Sequence, residues 1–286
     1  MPHAIVGVIG GSGLYQMDGL QNVYEHEVQT PFGAPSDVIV CGTLEGTPVA
    51  FLARHARGHK LIPSEVPYRA NLYALKQLGV RYVLSLSAVG SLREELHPLD
   101  MVLPDQFIDL TRHRNSTFFG SGAVAHVSMA QPVCPLLQRI LARAVQATDA
   151  NIHLHQNGTY ACIEGPQFSG RAESLWLRSM GADLVGMTNM PEAKLALEAQ
   201  MAYATLAMVT DFDCWHPREA HVTTSMALEN LLKNASRAQQ ITAHAIRFLR
   251  HDMPVSAAHT ALQNALVTAP DDMPAATRQV LELLWS

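Results

Sequence analysis

Short apolar runs that end in glycine or polar residues alternate along the chain with longer stretches of helical periodicity. Ala4 to Gly10 is an unbroken apolar run closed by glycines, the pattern of a buried strand. Val38 to Leu44 and Val49 to Ala53 are two more such runs. Glu45-Gly46-Thr47-Pro48 splits them and reads as a hairpin turn. Tyr68, Leu72, Leu75 and Leu78 fall at helical spacing before Gly79, which predicts a helix that stops there. Tyr82 to Ala88 and Met101 to Leu110 read as strands. Pro135 to Ala147 reads as a helix, Gly158 to Glu164 as a strand, and Arg171 to Met180 as a helix stopped by Gly181. Asp183 to Met187 is a short strand, Pro191 to Gln200 a helix with proline at its start, and Met201 to Phe212 a long strand. Ser225 to Arg250 is one long helix, and the tail from about residue 253 reads as two short helices around Ala269-Pro270-Asp271-Asp272. Strands alternating with helices predict an α/β fold with a mostly parallel sheet covered on both faces. No linker or repeat divides residues 1–286, which predicts a single domain with a helical tail.

Composition narrows the class. Hydrophobic residues make up 48% and charged residues 16%, enough for a large core and too few charges for disorder. A net charge of −5 gives no global positive field for nucleic acid, so a small molecule is the expected partner. The apolar stretch at the start is far short of a membrane span, and no charged region or cleavage site marks it as a leader. Cys41, Cys134, Cys162 and Cys214 lack C-x-x-C spacing and read as free thiols of a cytoplasmic protein.

In a sheet of this kind ligands gather at the carboxyl ends of strands, so the residues there carry the candidate chemistry. Gly10-Gly11-Ser12-Gly13-Leu14 is either an anion-binding loop or a tight turn, with Ser12 as a hydroxyl donor. Arg54-His55 follows the Val49 to Ala53 run and offers forked donors that suit phosphate; the alternative is a solvated basic loop. Ser87-Ala88-Val89-Gly90-Ser91, which reads equally well as a structural turn, and Met187-Thr188-Asn189-Met190-Pro191-Glu192 place hydroxyls at two further strand ends. The second stands just before a helix start, whose dipole also favours anions. Asp211 and Asp213 alternate in register, so on an extended strand they share a face. Neighbouring carboxyls raise one another's proton affinity, and one of them can then act as a general acid near neutral pH; the alternative is a helix-capping or solvated acidic turn. His153 and His155 share a strand face without a third ligand and read as a solvated edge, with no metal expected. Arg112-His113-Arg114 reads as a surface turn, and the Leu and Ala stripe of Ala227 to Leu249 as packing.

Six segments in order resemble the purine nucleoside phosphorylase and methylthioadenosine phosphorylase family: IGGSGLY (9–15), RHARGH (54–59), SAVGSLREE (87–95), IEGPQFSGRAES (163–174), MTNMPEAKLALEA (187–199) and TDFDCW (210–215). The resemblance implies a twisted mixed β-sheet with a distorted barrel, surrounded by helices, and a homotrimer with active sites at subunit interfaces. It implies phosphorolysis, in which inorganic phosphate as co-substrate displaces a purine from C1′ without any cofactor. Phosphate would be held by Ser12, Arg54, His55, Ser87, Ala88 and Thr188. Met187 would lie against the sugar, and Phe168 and Ser169 would line the base pocket. His126 would reach a neighbouring subunit's site. Asp211 would protonate N7 of the purine, and Asp213 would accept from its 6-amino group. A carboxylate accepts from an amino group, and no Glu stands in Gln167-Phe168-Ser169, so adenine is favoured over 6-oxopurines. Ala227 and Leu228 would face the sugar 5′ position, where an apolar residue suits a methylthio group. The expected reaction is phosphorolysis of 5′-methylthioadenosine to adenine and 5-methylthioribose 1-phosphate. The alternatives are a nucleoside or methylthioinosine phosphorylase acting on 6-oxopurines, a phosphate-independent hydrolase, and a non-catalytic nucleotide-binding protein.

Overall fold

The computed structural model describes residues 4–11, 17–149, 151–217 and 224–285, without the side chains of residues 224, 226–228 and 231. Its eleven strands belong to one sheet. At the centre run β1 (Val6–Gly10), β4 (Thr47–Ala53), β5 (Tyr82–Ser91) and β11 (Ala202–Asp211). β1 and β11 are buried at every position, as continuous apolar runs in parallel pairing demand. β1 pairs in parallel with β4 and β5, and β11 pairs in parallel with β5. β3 (Ile39–Leu44) joins β4 through the expected hairpin, with the tight turn at Glu45 and Gly46, both at positive φ.

Successive strand residues serve opposite faces of the sheet. Ile9 and Val83 join one core with α1 (Tyr68–Gln77), α4 (Asn189–Glu198) and α6 (Ala275–Trp285). Val8 and Leu84 join a second core with α2 (Pro135–Thr148) and α5 (Thr224–Asp252). A third, smaller cluster brings Leu92, Val185 and Phe212 against Leu177 of α3 (Arg171–Ser179).

Two departures from the sequence reading have plain causes. Met101 to Leu110 is two strands, β6 (Met101–Leu103) and β7 (Gln106–Asp109), because Pro104 lacks an N–H and interrupts the ladder. The edge strand β2 (Gln21–His26) is exposed along almost its whole length, so it carries no apolar alternation to read. β8 (Leu154–Gln156) pairs with β6, and β9 (Thr159–Cys162) lies between β7 and β10 (Leu184–Gly186). From β5 the pairing runs through β10 and β9 to β7, then along the chain into β6, which returns to β5 through β11. That ring is the distorted barrel, and the sheet is mixed, with six of its ten strand pairings parallel. The strand β5 also extends three residues past the expected end at Ala88.

That extension makes the site. β1 accompanies β5 only as far as Ser85, and β10 takes up the same strand, antiparallel, at Gly90. Over residues 86–89 the edge of β5 changes partner. A strand-order switch of this kind leaves a crevice at the sheet's carboxyl edge.

Candidate active site

A cavity of about 270 Å³ opens at this switch. It is lined by ten of the residues singled out in the sequence, among them Arg54, Ser87, Thr188, Met187, Asp211 and Asp213. The others are His55, Ala88, Phe168 and Ser169.

Hydroxyl groups meet near β5. Ser87 Oγ lies 3.3 Å from Thr188 Oγ1 and 3.2 Å from the hydroxyl of Tyr160. Tyr160, which the sequence reading missed, is fully buried, and burial raises its pKa to about 12, so it remains a neutral donor. Gly186 gives it room: a Cβ there would stand 2.0 Å from the Tyr160 hydroxyl oxygen. A glycine at the end of a three-residue strand was the available signal. Thr188 precedes α4, but Met190 is extended (φ −114°, ψ 131°), so the regular helix begins at Pro191. The regular helix thus starts where the sequence placed it, three residues past Thr188, and its dipole acts on Thr188 from that distance.

Arg54 is buried and mostly committed. Its Nε and Nη2 donate to the two carboxylate oxygens of Glu192 at 2.8 and 3.0 Å. Nη2 also donates to Ser85 Oγ at 2.7 Å, and Nη1 to the Leu86 carbonyl at 3.0 Å. A guanidinium has five N–H groups, so one on Nη1 is left for a ligand. Burial opposes its charge, but the Glu192 carboxylate outweighs that, and the pKa moves up. Glu192 was missed as a partner because 138 residues separate it from Arg54.

His55 Nδ1 stands 2.9 Å from the Leu61 carbonyl. A carbonyl only accepts, so Nδ1 carries the proton and Nε2 keeps its lone pair in the neutral ring. Burial, then the charge of Arg54, lowers its pKa to about 4, and the ring is neutral at physiological pH.

The two aspartates stand at the end of β11. They do not share a strand face, because the strand ends at Asp211 and Asp213 adopts a left-handed conformation (φ 52°) in a turn. The turn brings them together instead: Asp213 N–H donates to Asp211 Oδ1 at 2.8 Å, and Thr210 Oγ1 donates to Asp211 Oδ2 at 2.7 Å. Burial raises both pKa values, and for Asp211 the nearby Asp213 adds to the rise. The Ser169 and Ser174 hydroxyls lie near enough to Asp213 to offset part of this. Yet among the described residues Asp213 Oδ2 has no hydrogen bond of good geometry. Gly90 makes room for the pair, since a Cβ there would lie 3.0 Å from Asp211 Oδ1. Trp215 pins the turn by donating from Nε1 to the Ser91 carbonyl at 2.8 Å. Ser87 and Gly90 are three residues apart on β5, a rise of roughly 10 Å along the strand.

Other expected residues lie elsewhere. Ser12 is outside the described residues; Ala227 and Leu228 fall in the first turns of α5, with side chains outside the description. His126 is exposed, bonds through its backbone to Ala265, and does not line this cavity. His155 is no solvated edge residue: its Nε2 meets Asp100 Oδ2 at 2.9 Å, with the ring half-buried. Arg114 is no surface residue either, since its side chain is 1% exposed. Among the described residues no cluster of His, Cys, Asp or Glu could hold a metal ion, and no helix is long and apolar enough to cross a membrane.

The arrangement sets anion donors and two carboxyls of raised pKa in one cavity, which suits transfer of a group between an anion and a leaving base. Comparisons with known proteins agree. A family model described as the phosphorylase superfamily matches residues 5–247. The chain is 56% identical over 285 residues to an S-methyl-5'-thioadenosine phosphorylase of Synechocystis, covering 99% of this chain and 87% of that one. A crystal structure of methylthioadenosine phosphorylase from an antarctic soil metagenomic library superposes with a TM-score of 0.96 at 60% identity, covering 99% of each chain. Methylthioadenosine phosphorylase from Schistosoma mansoni in complex with adenine gives a TM-score of 0.82 at 36% identity, over 99% of this chain and 97% of that one. By its fold, its site and these relatives, the chain belongs to the phosphorylase superfamily.

Proposed function

We propose that the protein catalyses phosphorolysis of 5′-methylthioadenosine to adenine and 5-methylthioribose 1-phosphate. The observation that carries this reading is Asp213 Oδ2, a buried carboxylate oxygen without a partner among the described residues, beside a second carboxyl with a raised pKa. An acceptor of that kind fits the 6-amino group of adenine, and the neighbour, whose proton affinity burial raises, fits N7 as its proton donor. The printed names of relatives at 48–56% identity support the same substrate.

Bond cleavage at C1′ builds positive charge on the sugar and negative charge on the departing purine. Asp211 donates its proton to N7 as the C1′–N9 bond breaks, so the base leaves neutral. Phosphate, held by Ser12, Ser87, the Ala88 backbone, Thr188, His55 and the remaining Arg54 N–H, stands against the sugar cation and forms the new bond to C1′. The neutral His55 acts through Nε2 as an acceptor, for a P–OH or a sugar hydroxyl. Met187 covers the sugar, and Phe168 and Ser169 hold the base. Phosphate is the co-substrate, and the chemistry calls for no cofactor.

The working assembly is a homotrimer in which His126, exposed and outside the lining of its own cavity, reaches the neighbour's site. Four free thiols, three of them buried, suit a reducing, cytoplasmic setting. Phosphorus NMR of a reaction with methylthioadenosine tests the chemistry. The expected product is the sugar 1-phosphate, and free 5-methylthioribose would contradict it.

A further inference from the structure

Arg114 belongs to a segment without regular secondary structure, yet it is among the most fully bonded side chains of the protein. Its Nη2 donates to the Glu164 carbonyl at 2.7 Å, and its Nη1 reaches the Met187 and Met190 carbonyls, each at 2.7 Å. Nη1 also meets the Tyr68 hydroxyl at 3.0 Å, while Nε donates to Glu164 Oε1 at 2.8 Å. The second oxygen of Glu164 accepts the backbone N–H groups of Arg112 and His113 at 2.5 and 3.0 Å, which closes the cluster on the segment that carries Arg114. Neither Arg114 nor Glu164 lines the substrate cavity.

The carbonyls it gathers come from the two segments that shape that cavity. Glu164 opens the loop to Phe168 and Ser169, and Met187 and Met190 bracket Thr188. Gly165 (φ 69°) lets these segments touch, since a Cβ there would lie 2.6 Å from Met187 Sδ. A planar guanidinium presents its donors in a fixed fork, so one group sets the relative position of both segments; a lysine ammonium lacks that geometry. A displacement of about 1 Å far from the chemistry can cost ~100-fold in rate.

We infer that Arg114 is a positioning residue that holds the base-binding loop and the Met187–Thr188 turn in register, so that purine, sugar and phosphate meet in one geometry. The inference rests on the phosphorolysis reading. The test compares the unmodified protein, Arg114→Lys and Glu164→Gln. KM is measured separately for methylthioadenosine and phosphate, adenine affinity by calorimetry, and folding by thermal melting. Arg114→Lys is expected to lower kcat/KM about 10- to 100-fold, with KM raised for both substrates and adenine bound more weakly. Glu164→Gln, which keeps the guanidinium but removes the counter-charge and one of the two acceptor oxygens, is expected to shift the same quantities less. Folded variants with wild-type KM values and wild-type adenine affinity would overturn the inference. So would losses that follow only the folded fraction. If Arg114→Lys does not fold, Glu164→Gln decides by the same criteria. Lack of phosphate-dependent turnover in the unmodified protein would instead strike the phosphorolysis reading, and adenine affinity would still test the role of Arg114.

Discussion

Asp213 keeps a carboxylate oxygen buried without a partner among the described residues, a cost that proteins tolerate where a ligand later satisfies the group. Its folded pKa is raised, so the fold favours the protonated form, and that contribution is lost as pH rises through the raised value. Asp213→Asn removes the ionisation. It is expected to stabilise the free protein at neutral pH by about 1–3 kcal/mol, a rise of several degrees in melting temperature. The gain should shrink as pH falls and vanish below pH ~3, where the wild-type carboxyl is protonated folded or unfolded; melting curves across pH check this. Asp211 has the opposite test, through rate. Asp211→Ala is expected to lower kcat by about 10²- to 10⁴-fold with the fold intact. In the wild type, kcat should fall on the alkaline side as the raised carboxyl ionises. Near-normal kcat in the alanine variant would remove Asp211 from the acid role.

Most elements were legible because apolar runs and helix stops coincide with buried strands and glycine ends, as at β1, β11 and Gly181. The crevice was not, because the change of partner along β5 depends on β10, which arrives about a hundred residues later. Pairings of this kind also hid Tyr160 and Glu192, whose partners Ser87 and Arg54 are remote in sequence. Glu192 Oε1 accepts from Ser85 and Tyr203 as well as from Arg54, at 2.7 and 2.9 Å for the first two. Glu192→Gln would leave a buried guanidinium without its counter-charge, and chemical denaturation should record a loss of about 3–5 kcal/mol. A loss below ~1 kcal/mol, the scale of an exposed pair, would mean that Arg54 is not held by that charge. Arg114 shows the same limit: three consecutive polar residues look like a surface turn until the carbonyls they meet are known.

At the scale of the whole molecule, the proposed homotrimer would join a cavity in one subunit to His126 of another. Asp211→Ala and His126→Ala subunits, each impaired alone, should recover activity when co-assembled, since mixed trimers contain sites with both residues intact. Activity equal to the sum of the separate variants would contradict a shared site. The central claim, phosphate-dependent cleavage of a 6-aminopurine thionucleoside, is tested most directly by purine release from methylthioadenosine, methylthioinosine and inosine, each with and without phosphate. Adenine released from methylthioadenosine fastest, and only with phosphate, is the predicted result. Release without phosphate, or faster cleavage of the 6-oxopurine substrates, would contradict it.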